Sequence, residues 1–189
     1  DTAGYGQVVP LGPVSNPSLR MLWHAPIGAM AAPFTPFYLG VNNIPPEFGQ
    51  HRYLTTGEDW KFVDDRKADA RSVVPQRIEA TRSAVYIFKR LLYLLSEHHE
   101  LFLPEVLPVW EAFEAALAIE QKEVTDTAET LLAAGKPHLA QAYLTDYCTL
   151  HAICSLDLGE VMVNSMEARS RILFGVREDT TWRGPQQLW

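Results

Sequence analysis

The stretch FTPFYLGVNNIPPEFGQHRYL, residues 34–54, limits what this chain can fold into more than any other. Proline has a fixed φ and no N–H to donate, so no ladder is expected to continue through Pro36, Pro45 or Pro46. The stretch is too broken for a helix or a long strand, and too apolar for a linker. Phe34, Phe37, Tyr38, Phe48 and Tyr53 carry large areas that favour leaving water. A rigid, aromatic, irregular segment of this kind lies across a domain face or lines a pocket. The plainer alternative is a packed connection between strand and helix.

The remaining composition bounds the setting of that segment. The 189 residues, 47% of them hydrophobic, suffice for one domain with a sizeable core and argue against disorder. A formal charge of −7 disfavours a general nucleic-acid binder, which needs a concentrated basic face. Cys148 and Cys154 are too few for a disulfide framework, and both read as buried thiols on a helix. No apolar run reaches the ~18 residues of a membrane span. The expected compartment is the cytoplasm. The chain opens DTAGYGQVVPL, without Met and as if already inside a strand region. A fragment, a processed chain or one part of a split protein is therefore expected.

Two halves follow along the chain. In residues 1–64, YGQVVPL (5–11) and SLRMLWHAPI (18–27) read as strands joined by the turn segment GPVSNP. Two strands cannot bury both faces, so further strands are expected from elsewhere. Residues 65–172 read as almost wholly helical. Ile78, Val85, Phe88, Leu92 and Leu95 share one helical face, with Pro75 starting or kinking that helix. Leu107, Trp110, Phe113 and Leu117 mark a second helix, and a third is expected from near Thr125. Gly135 reads as a C-cap and Pro137 as the first turn of the next helix. There, Leu139, Tyr143, Tyr147, Leu150, Cys154, Leu158 and Val161 form a stripe. The tail, residues 173–189, is expected to be irregular.

Few residues suggest chemistry by themselves. In EHHE (97–100), adjacent histidines point about 100° apart on a helix and cannot share one metal, so a solvated helix terminus is the reading. His151 and Cys154 have helical spacing for one metal but no obvious further ligands. DWKFVDDRKAD (59–69) reads as a helix start, with Asp64 or Asp65 as the cap and acids near the positive dipole end. No phosphate loop, nucleophile elbow or dinucleotide fingerprint occurs.

Several stretches together resemble one family. LRMLWHAPIGAMAAPFTPFYLGVNNIPPEF (19–48) is similar to a segment of the dipeptidase A and secernin-type N-terminal-nucleophile (Ntn) hydrolases. The matching residues are Trp23, Pro33, Phe34, Pro36, Phe37, Tyr38, Gly40, Val41, Ile44 and Pro45. YLTDYCTLHAICSLDLGEVM (143–162) resembles the family's Leu-Thr-Asp-Tyr helix at Leu144, Thr145, Asp146 and Tyr147, and FVDDRKADARSV (62–73) fits the approach to its helical part. The resemblance implies an α+β fold, the C-terminal part of an Ntn-hydrolase αββα sandwich, followed by a large, mostly helical region.

The family's nucleophile is a cysteine that becomes N-terminal after processing, with its own α-amino group as base. Here residue 1 is Asp, and both cysteines lie in a predicted helix. No catalytic residue is therefore expected in this chain. Hydrolysis of dipeptide amide bonds would require an N-terminal catalytic half or a companion chain. Trp23, Phe37, Tyr38 and Asn42 are the expected substrate-binding residues, on the wall of the cleft. The resemblance implies a small peptide substrate and no cofactor or metal. A homo-oligomer is expected, with neither nucleic acid nor membrane as partner. The alternative is a non-catalytic interaction or scaffold subunit derived from such a hydrolase. An independent helical enzyme using the acid and His clusters ranks last.

Overall fold

A computed structural model describes residues 5–49 and 82–175. Tyr53, the acidic run at 59–69 with Asp64 and Asp65, the stretch 62–73, Pro75, Ile78 and the tail from 176 onward lie outside the described residues. The fold is α+β: a three-stranded antiparallel sheet packed on a mostly helical body.

The sheet runs in chain order, β1 (Tyr5–Val8), β2 (Met21–Pro26) and β3 (Thr35–Tyr38). Between β1 and β2 a short 3-10 turn, Pro17–Leu19, is capped by Asn16, whose side-chain oxygen accepts from the Ser18 N–H at 2.9 Å. The first two strands fall inside the stretches expected for them. The third does not come from elsewhere: it lies inside the proline-aromatic segment and runs through Pro36, contrary to expectation.

Register explains why the proline is tolerated. Met21 pairs with Tyr38 and Trp23 with Pro36, and the Leu39 N–H donates to the Arg20 carbonyl at 2.7 Å. Alternation along an antiparallel ladder then turns the main chain of residues 35, 37 and 39 toward β2, and that of 34, 36 and 38 toward the outer edge. Pro36 thus lacks a donor only where β2 needs none. At the other end of the segment, Pro46–Gly49 forms a single helical turn, α1.

Three long helices follow: α2 (Ala84–Glu97), α3 (His99–Ala133) and α4 (Pro137–Phe174). Ser83 caps α2 by accepting from the Tyr86 N–H at 3.4 Å. Its buried face is Ala84, Ile87, Phe88, Leu91 and Leu95, with Val85 and Leu92 only half-buried.

Where two helices were expected there is one, α3, of 35 residues. Thr125 lies within it, and its hydroxyl donates back to the Gln121 carbonyl at 2.9 Å. Pro104 and Pro108 are accommodated inside it. Its buried side is Phe102, Val106, Trp110, Leu117, Val124 and Ala128, while Leu107 is exposed.

Gly135 ends α3 as expected. At φ 70° it closes a paired cap, its own N–H donating to Leu132 and the Lys136 N–H to Leu131. Pro137 opens α4. The buried face of α4 is Ala140, Leu144, Tyr147, Cys148, Ala152, Leu156, Val163 and Met166. Leu139, Leu150, Leu158 and Val161, assigned to its stripe from spacing, are exposed. Phe174 belongs to α4, so the tail begins later than expected.

Two apolar clusters join these layers. Ala25, Phe88, Leu91, Phe102, Trp110 and Leu156 form one between the sheet's far end and the helices, and Gly159 admits the Phe88 ring against α4. Met21, Tyr38, Leu117, Leu144, Tyr147 and Cys148 form the other, under β3. Gly40 lets the chain leave β3 across the 3-10 turn, where its N–H donates to the Ser18 carbonyl at 2.9 Å. A Cβ there would stand 2.7 Å from Ser18 Cβ and 2.8 Å from the Ser18 carbonyl oxygen. Gly40→Ala is therefore expected to destabilise by about 1–3 kcal/mol, through backbone displacement. Thermal or urea unfolding checks this, and an unchanged midpoint would contradict it.

Candidate functional site

The proline-aromatic segment is fastened to the helices by its own main chain. The Phe34 N–H donates to Glu114 Oε1 on α3 at 2.9 Å, the Tyr38 N–H to Cys148 Sγ on α4 at 3.5 Å, and the Asn42 N–H to Thr145 Oγ1 on α4 at 2.9 Å. Phe34 and Tyr38 are the two outer-edge donors that flank Pro36. Helix side chains therefore occupy the donors that would leave β3 open to a further strand.

Side chains complete the junction. Thr125 Oγ1, already donating to Gln121, accepts the Tyr38 hydroxyl at 2.7 Å. Tyr38 meets the Tyr147 ring edge-on, and Tyr147 meets His151 with ring centres 4.5 Å apart. His151 Nε2 lies 3.2 Å from Glu120 Oε2. Burial pushes the Tyr38 and Tyr147 hydroxyls above the ordinary phenol range, and pushes the Cys148 thiol up to about 11. A thiol so disposed stays protonated near neutral pH and is a poor nucleophile.

The four expected substrate-binding residues do not share one surface. Tyr38 is buried, with its hydroxyl engaged. Trp23, opposite Pro36 in the ladder, points to the same side of the sheet as Met21 and Tyr38, and packs half-buried on their cluster. Phe37, also half-buried against that cluster, alternates to the opposite side, where its ring meets those of His24 and Phe48. Asn42 is exposed beyond the strand end, with its main chain on α4.

His24 is the residue that spacing did not single out. Its ring lies near those of Tyr5 and Phe37, and among the described residues its buried Nδ1 has no hydrogen-bond partner. The only sequence signal was its place next to Trp23 in a strand. A small cavity of about 150 Å3 lies elsewhere, between Ser18, Gly40, Leu132, His138 and Gln141, and none of the four residues lines it.

The remaining candidates are also placed. His98 sits at the α2–α3 junction with its ring stacked on Phe174, and His99 is the first residue of α3. His151 turns to Glu120. Of the two thiols read as buried, Cys148 is, while Cys154 is only partly covered. Among the described residues, no three His, Cys, Asp or Glu side chains form a group able to hold a metal, and no helix is long and apolar enough to cross a membrane. Compared with known proteins, the chain matches no protein-family model, no curated protein and no solved structure.

Burial lowers the pKa of both His24 and His151; for His151 it outweighs the opposing pull of Glu120. Each imidazole binds a proton less readily folded than unfolded. As pH falls past the ordinary value of 6.5, the unfolded chain takes up more protons and stability drops. The melting temperature should therefore fall between pH 7.5 and 5.5 (about a unit either side of that value). The double variant His24→Gln, His151→Gln should flatten that slope. An equal slope in the variant would contradict the assignment.

Proposed function

We propose that this chain is the non-nucleophilic part of an Ntn-type cysteine amidohydrolase resembling dipeptidase A, acting on the amide bond of small peptides. The observation that carries the reading is the meeting of its two resemblance motifs. Asn42 and Tyr38, in the loop motif, contact Thr145 and Tyr147, in the Leu-Thr-Asp-Tyr helix, more than a hundred residues away. Their contact supports reading the two motifs together, as neighbouring parts of one site. The attacking thiol belongs to another segment or companion chain, since Cys148 is buried and protonated and Cys154 lies in mid-helix.

In this reading the sheet's partly open side faces the peptide, with Leu22, His24 and Phe37 as wall. Phe37 and Asn42 remain within a substrate's reach, whereas Tyr38 supports the wall from behind. A second reading, the non-catalytic interaction subunit, is favoured by the same burial of Tyr38 and half-burial of Trp23, which spend both side chains on packing.

Purified chain alone is expected to show no turnover of simple dipeptides. Protein made from the gene's full reading frame should hydrolyse them through a processed N-terminal cysteine, lose activity when that cysteine becomes serine, and show a raised KM in Phe37→Ala. A full-frame protein without such a cysteine, and inert toward dipeptides, would favour the interaction subunit.

A further inference from the structure

We draw no further inference here: the strongest candidate, the small cavity at the start of α4 between Ser18, Gly40, Leu132, His138 and Gln141, lies at a helix N-terminus, and among the described residues no buried, unpartnered polar side chain lines it to point to a ligand.

Discussion

The outer edge of β3 is the constraint on which the rest of this structure depends. A strand edge exposes a row of donors that invites another strand. Here Pro36 removes one donor, Glu114 accepts the one before it, and Cys148 the one after it. Among the described residues the sheet therefore ends at β3, and helices pack on that edge. A single residue type, proline, serves both as the end of the ladder and as the stiff element that holds Phe34 and Tyr38 at a fixed spacing against α3 and α4.

The helical body is arranged to receive that edge. Tyr38 is the deepest aromatic of the sheet, and its hydroxyl, ring and main-chain N–H meet Thr125, Tyr147 and Cys148 respectively. Two helices and a strand thus converge on one residue. A tyrosine fixed at three points cannot also turn toward a substrate. Under the proposed function, a peptide would therefore meet Phe37 and Asn42, with Tyr38 holding them from behind. The thiol beside it is protected by the same burial that makes it unreactive.

Much of this was legible in the sequence, for physical reasons that also explain what was not. The β-like run SLRMLWHAPI and the Gly135–Pro137 punctuation are local signals, and β2 and the α3–α4 break fall where they point. Strand β3 was hidden because the effect of Pro36 depends on which side of the strand its nitrogen faces, and only the register sets that. Helix α3 read as two because local patterning places a start near Thr125, whereas the Thr125 hydroxyl bonds within the turn. On α4 the apolar spacing joined the buried Tyr147 to the exposed Leu139, Leu150, Leu158 and Val161, since a helix with apolar residues on two sides gives periodicity no way to choose between them. The loop's aromatic character was plain in the sequence. That Tyr38 and Phe37 face opposite ways follows from strand geometry, which could be applied only once the segment was known to be a strand.

Amide hydrogen exchange at Phe34, Tyr38 and Asn42 tests the central claim most directly, namely that the helices close the β3 edge. Among the described residues these three N–H groups face no other strand, and their acceptors are Glu114, Cys148 and Thr145. The account predicts that Phe34 and Tyr38 exchange only with the global opening that also exposes the core amides of α4, while Asn42, nearer the surface, opens somewhat sooner. Rapid exchange at Phe34 and Tyr38 while α4 stays protected would show that the edge is open and that sheet and helices are held together by something else.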